Sequence, residues 1–292
     1  MPDPLLAFLI KLPLALAVFL LIAYTGTVSR RVAGVLLTFP ILNGIAVIAG
    51  ADPIAVADAI YPLVIFNCIL FALLISFPRL LPVGALPPWI ALLTRVLVWS
   101  ALWFAGAYLL TDARQHIFAA GTLFAGASIL AFLFMTLFWS GPAAGTEPAR
   151  TTMSHQTRFV SFWLSATGLL RIVFFALAYG CLFWVSRTAL DEKWVGMASA
   201  LPLPGFFALA VLIGNAEQFA ASPKNSALLP MRDTVFLGPI LVIPFNWAFS
   251  HLIAFVPDTL PRYLLLFAMW SLAAYAVLLL VPRIAAHFDR RS

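Results

Sequence analysis

LLAFLIKLPLALAVFLLIAY, residues 5–24, carries a single charge, Lys11. A helix rises about 1.5 Å per residue, so this run reaches the ~30 Å of a bilayer's hydrocarbon core. It has no basic n-region and is long enough to span, so it reads as a membrane helix and not as a cleavable signal peptide. Comparable runs recur, and the sequence predicts nine spans at about 5–25, 32–51, 58–77, 88–110, 117–139, 159–185, 194–214, 234–255 and 263–282. Stretches of alternating polarity, the mark of barrel strands, are missing, so the expected fold class is all-α, a polytopic membrane protein.

Composition agrees. Of the 292 residues, 63% are hydrophobic and 10% charged, too few charges to cover a soluble surface. Cys68 and Cys181 both fall inside apolar runs and read as buried small hydrophobes, not as a disulfide or metal pair. The net charge of +6 sits mainly at span ends, where the membrane explains it, so no nucleic acid is expected.

The breaks between runs carry turn chemistry: Ser29-Arg30-Arg31, Asp52-Pro53, Pro78-Arg79, Asp112-Ala113-Arg114, Asp191-Glu192-Lys193 and Pro257-Asp258. One set of loop ends holds Arg30, Arg31, Arg79, Arg150, Arg158, Lys224, Arg232, Arg283, Arg290 and Arg291, against Arg114, Arg187, Lys193 and Arg262 on the other. The richer side is expected to be cytoplasmic. The N-terminus would then lie outside and the C-terminus inside, in a bacterial-type inner membrane. A split helix near Pro204 or Pro244 is the expected complication.

The two halves share landmarks. Gly34 and Pro40 match Gly196 and Pro202 at an offset of 162, and Phe66-Asn67, Pro78 and Pro82 match Phe245-Asn246, Pro257 and Pro261 at 179. An insertion around Ser222-Pro223-Lys224-Asn225 accounts for the change. The expected organisation is a four-helix repeat over 1–112, a connector helix and loop over 113–157, and a second repeat over 158–292. Span one runs inward and span six outward, so the copies are inverted, an arrangement that recurs in secondary transporters. The connector is rich in small residues (Gly121, Ala125, Gly126, Ala127), which predicts close helix packing there.

Within the spans lie Lys11, Arg95, Arg171, Asn43, Asn67, Asn246 and His251. An ionisable group at membrane depth costs at least a few kcal/mol without a partner or water. The embedded charges are all positive, and Asp58, Glu217 and Asp233 are expected at headgroup level. An anion would supply the missing countercharge, and Arg can grip phosphate or carboxylate with two parallel hydrogen bonds. Lys11 and Arg95 are near enough to span ends to snorkel. Arg171 is roughly twelve residues into its span and harder to explain that way. Asn67 and Asn246 read either as interhelical glue or as equivalent site residues in the two copies. Pro40 and Pro202, with Pro204, Pro239 and Pro244, interrupt spans two, seven and eight and free backbone carbonyls. Trp89, Trp139, Trp163, Trp184, Trp194 and Trp270 read as interface anchors.

The stretch from Ser29 to Pro40, SRRVAGVLLTFP, resembles the start of the second helix in small GlpM-type inner-membrane proteins. Those chains join a basic stretch to Ala-Gly-Leu and Phe-Pro in a four-helix protein of roughly half this length. The resemblance covers about twenty residues, and the second copy keeps only Gly196 and Pro202. It implies a fused duplication of a four-helix ancestor and nothing about mechanism.

No Ser/His/Asp set, metal-ligand cluster or phosphate-binding loop is present, so neither an enzyme nor a cofactor is expected. The expectation is a permease moving a small anion by alternating access, with Asn67, Asn246, Arg171, Lys11, Arg95, Pro40 and Pro202 as substrate-site residues. The alternatives are a lipid-phosphate translocase and a non-transporting scaffold or assembly factor. Partners would be the anion or lipid phosphate and the bilayer, with room for a homo-oligomer.

Overall fold

The computed structural model describes residues 4–38, 53–77, 86–113, 120–139, 163–188, 201–219, 228–252, 255–256 and 260–290. Among the described residues the chain is all-α, with helices α1 (Pro4–Val28), α2 (Arg30–Leu37), α3 (Pro53–Ser76), α4 (Pro88–Ala113), α5 (Ala120–Phe138), α6 (Ala166–Thr188), α7 (Leu203–Phe219), α8 (Leu229–Val235), α9 (Leu237–Leu252) and α10 (Leu260–Asp289).

Two stretches among the described residues, Pro88–Leu110 of α4 and Ser271–Asp289 of α10, are long and apolar enough to cross a membrane. Only 39% and 18% of them is buried, so most of each stretch faces outward. Their outward faces carry Leu97, Leu102 and Leu109, and Leu272, Tyr275 and Leu278. α5 adds Phe132, Leu133 and Leu137, and α6 adds Leu169, Val173 and Leu177. A water-facing surface would put charges at these positions.

The interior is held by aromatic rings. Phe19 of α1 stacks on Phe175 of α6 at 4.9 Å and meets Phe207 of α7 and Trp163 edge-on at 5.9 and 5.2 Å. A second group joins Phe71 of α3 and Trp99 of α4 to Phe206 of α7. Trp163 is 3% exposed, so it belongs to this core and is not an interface anchor.

Contacts fix the helix directions. Phe8 lies against Gly180 while Phe19 lies against Phe175, so α1 and α6 run antiparallel. Phe19 meets Phe207 and Gly26 meets Leu212, so α1 and α7 run parallel. Gly106 approaches Phe66 and Trp103 bonds to Asn67, so α3 and α4 are antiparallel. The starts of α1 and the end of α10 therefore lie toward opposite ends of the bundle, because Ser29 alone separates α1 from α2 and Arg31 binds Asp289.

Several boundaries differ from expectation. The helix expected over 159–185 begins as α6 at Ala166, where Ser165 Oγ accepts the Gly168 N–H at 3.1 Å as an N-cap. The expected split of span eight near Pro244 falls instead at Phe236, between α8 and α9, while Pro244 sits inside α9. Pro239 explains this: it has no N–H to offer the Val235 carbonyl four residues back. Phe236 stays right-handed helical, so the interruption is a kink. α2 stops at Leu37, and the rest of the span expected over 32–51, including Asn43, lies outside the described residues apart from Thr38.

Of the small residues of α5 expected to pack closely, Ala127 is buried, but Gly126 and Ala125 are not at a close approach. A Cβ on Gly126 would meet nothing within 4 Å, and Ala125 is exposed. Gly26 and Gly106 lie close to the Leu212 and Phe66 side chains, and Gly34 and Gly238 are closer still, where α2 crosses α8 and α9. Cys181 is exposed on α6 beside other apolar outward residues, whereas Cys68 is buried as expected.

Candidate functional site

α2 and α8 lie side by side and parallel. A Cβ on Gly34 would fall 2.1 Å from the Met231 carbonyl oxygen and 2.4 Å from Thr234 Oγ1, so only glycine fits. Thr234 Oγ1 donates across the crossing to the Arg31 carbonyl at 2.6 Å. Thr38 Oγ1, at the end of α2, is 3.0 Å from the Val35 carbonyl and 3.4 Å from the Val235 carbonyl. Cys68 Sγ reaches the same Val235 oxygen from α3 at 3.6 Å. The carbonyl that Pro239 leaves without a helical donor is thus met by side chains of α2 and α3.

At the start of α2 the polarity rises to full charge. Arg31 grips Asp289, at the end of α10, with two parallel bonds of 2.7 and 2.8 Å. The indole Nε1 of Trp139, just after α5, donates to Asp289 at 3.0 Å, and the Arg31 guanidinium lies 4.6 Å from the Trp139 ring centroid. One turn away, Arg232 donates to the Phe138 carbonyl and to Asp233 Oδ1 at 3.0 Å. Asp233, expected at headgroup level, is fully buried, an arrangement that needs its cationic partner. One ion pair thus joins α2 to α10 and another lies within α8, and the end of α5 meets both through the Trp139 indole and the Phe138 carbonyl.

The Arg31 hydrogen bonds hold the Asp289 carboxyl below the usual carboxylate range, with partial burial opposing and Trp139 assisting. A depressed folded value means stability that is full above the ordinary carboxylate pKa of about 3.9 and is lost as pH falls through the lower folded value. Wild type should therefore melt above Asp289→Asn at pH 7, with the gap closing below about pH 4. Thermal unfolding in detergent from pH 7 down to pH 3 checks this, and a gap independent of pH would refute it.

Asn67 is buried, and its Oδ1 accepts the Trp103 Nε1 proton at 2.6 Å, tying α3 to α4. Trp103→Phe would strand that oxygen, and about 1–2 kcal/mol of stability should be lost. Asn67→Leu in the same background should restore part of it, which a double-mutant cycle measures.

Arg95 of α4 is 2% exposed and so is enclosed by protein, not snorkelling along an outer face. Arg171 of α6 is half-buried, five residues after Ala166, and therefore nearer its helix start than a span from 159 implies. Pro202 precedes α7, and its carbonyl accepts the Phe206 N–H at 3.0 Å, so it stands at the start of that helix, while residues 194–200 of the expected span lie outside the described residues. Pro40 and the side chains of Lys11 and Asn246 lie outside the described residues. Among the described residues no group of three or more His, Cys, Asp or Glu could hold a metal.

No protein family, curated protein or solved structure matches this chain. Its arrangement alone carries the functional reading.

Sequence reasoning missed Thr38, Trp139, Asp233, Thr234 and Asp289. A signal existed in Arg232-Asp233-Thr234, a charged pair opening an apolar run. Asp289 had none, because its partner is 258 residues away.

Proposed function

We propose that this chain is a polytopic inner-membrane transporter of nine spans that moves a small anion by alternating access between two inverted four-helix copies. The observation that carries the reading is the antiparallel run of α1 and α6, the first helices of the two copies, inside a bundle whose exterior is leucine and aromatic. Inverted copies can exchange conformations so that one site opens to either side in turn. The pairings add support: α1 with α2 is matched by α6 with α7, and α2 with α10 by α4 with α7. In the same reading the chain is a fused duplication related to GlpM-type proteins, with the Arg31 end cytoplasmic.

Topology is tested by single cysteines near residues 2 and 291 in a Cys181→Ser background. A membrane-impermeant maleimide should label them from opposite sides of sealed vesicles. Labelling from the same side would remove the odd span count.

The anion assignment rests on Arg95 and Arg171, basic residues within expected spans. Arg171→Gln keeps hydrogen-bond donors but removes the charge and the two-pronged grip. Losing a charge-assisted contact of about 1.5–3 kcal/mol should weaken anion binding roughly ten- to a hundred-fold. The measurement is thermal stabilisation of wild type and variant by soluble anions and by lipid phosphates.

One observation favours the lipid-phosphate translocase as a second reading. Arg171 is half-buried at the edge of α6, with Gly168 and Phe175 of its own face buried and Leu170 beside it exposed, so part of it is left open on the lipid side. Stabilisation by lipid phosphates alone would select it. Stabilisation by neither class would favour a non-transporting scaffold.

A further inference from the structure

We propose that Arg31, Asp289 and Trp139 form an ionic latch that holds one end of the bundle closed and must open for that end to admit solute. The inference rests on the alternating-access reading above, because it assigns the closed end a moving part. In that reading Arg31 belongs to the first copy, Asp289 to the second and Trp139 to the connector, so one three-residue cluster ties all three units together. The bonds join the start of α2 to the end of α10, 258 residues apart, with both guanidinium nitrogens on both carboxylate oxygens at 2.7 and 2.8 Å.

Three features suit a latch better than a permanent bolt. The Arg31 and Asp289 side chains keep 16% and 24% of their exposure, so water is at hand to solvate both charges on separation. A fully buried pair would be far costlier to part. Trp139 stacks under Arg31, bonds Asp289 and lies 5.1 Å from Phe288, so it makes the closed geometry specific. The ring also attracts the guanidinium face, a contact worth more as water is excluded. By contrast, α2 is fastened to α8 by the Gly34 approach and the Thr234 bond, so the α8 side stays attached when α10 swings away.

The test measures distance across that end in lipid nanodiscs, without any anion. Spin labels go at Val28, at the exposed end of α1, and at Ala286, exposed on α10, in a Cys181→Ser background. Cys68 is fully buried and stays unlabelled. Wild type should give one short distance population. Arg31→Asp and Asp289→Arg should each add a population longer by about 5 Å or more, the scale of a one-turn shift. The charge-swapped double variant should restore the short population, a rescue that a mere packing role would not give. If the single variants fail to fold, Asp289→Asn supplies the same measurement with its shape kept. An unchanged short population in the single variants, or no rescue by the swap, overturns the latch. Anion stabilisation is measured on the same samples, so loss of the transport reading is separable: the end can open with no anion binding at all.

Discussion

Gly34→Ala and Gly238→Ala should each strip the protein of most of its stability, whereas Gly126→Ala should leave it unchanged or slightly raised. The difference follows from what a single methyl group meets. At Gly34 it would fall 2.1 Å from a backbone oxygen, which cannot rotate away. At Gly238 it would fall 1.7 Å from Thr38 Oγ1, on a β-branched side chain stiff about χ1. Relief requires α2 to back away from α8 and α9, breaking the bonds made by Thr38 and Thr234. Overpacking of this kind typically costs about 1–3 kcal/mol and more where backbone is the obstacle. At Gly126 nothing lies within 4 Å, so the helix preference for Ala, up to about 1 kcal/mol, acts alone. Thermal unfolding followed by tryptophan fluorescence in detergent checks all three. A Gly34→Ala protein as stable as Gly126→Ala would mean that the α2–α8 crossing is looser than described.

Phe19→Ala should cost about 2–3 kcal/mol, less than the ~3–5 kcal/mol of a soluble core but far more than any outward change. Phe19 is fully buried between Phe175, Phe207 and Trp163. In water its removal would forfeit both transfer energy and packing. In a bilayer lipid is as apolar as the core, so what is lost is mainly contact between close-packed rings. Leu137→Ala, at a position 71% exposed on α5, is the comparison and should stay within about 0.5 kcal/mol. Equal effects of the two changes would undercut the distinction between an aromatic interior and the apolar exterior that the proposed function places in lipid.

The all-α class was legible because twenty-residue apolar runs admit few other structures. The inverted order proposed above rests on a pair of glycines and prolines recurring in step, and the opposed directions of α1 and α6 agree with it. Helix ends were less so. Ser165 begins α6 by capping Gly168, yet a serine within an apolar run is a faint signal. Pro239 and Pro244 look alike in sequence, but only the first follows a boundary between helices, where Thr38 and Cys68 reach the carbonyl it frees. On α5 Ala127 is buried as expected, but Gly126 was misleading for a related reason: a glycine is needed only where another backbone comes near, and partners are set by tertiary structure. Charged clusters suffered most. Arg31 read as a topology signal at a span end, and nothing near it in sequence names Asp289 or Trp139.

The parallel contact of α2 and α8 has a mechanical consequence. Two helices that touch through backbone, with a glycine on one facing a carbonyl on the other, have no side-chain layer to act as a lubricant. Sliding α2 by one turn, about 5.4 Å, would bring a bulky residue such as Arg31 or Leu37 to the place that only Gly34 can occupy. Translation is therefore blocked in both directions, while rotation about the contact point is not. The crossing therefore has the geometry of a fulcrum, a point that resists sliding and leaves α2 and α8 free to tilt about Gly34.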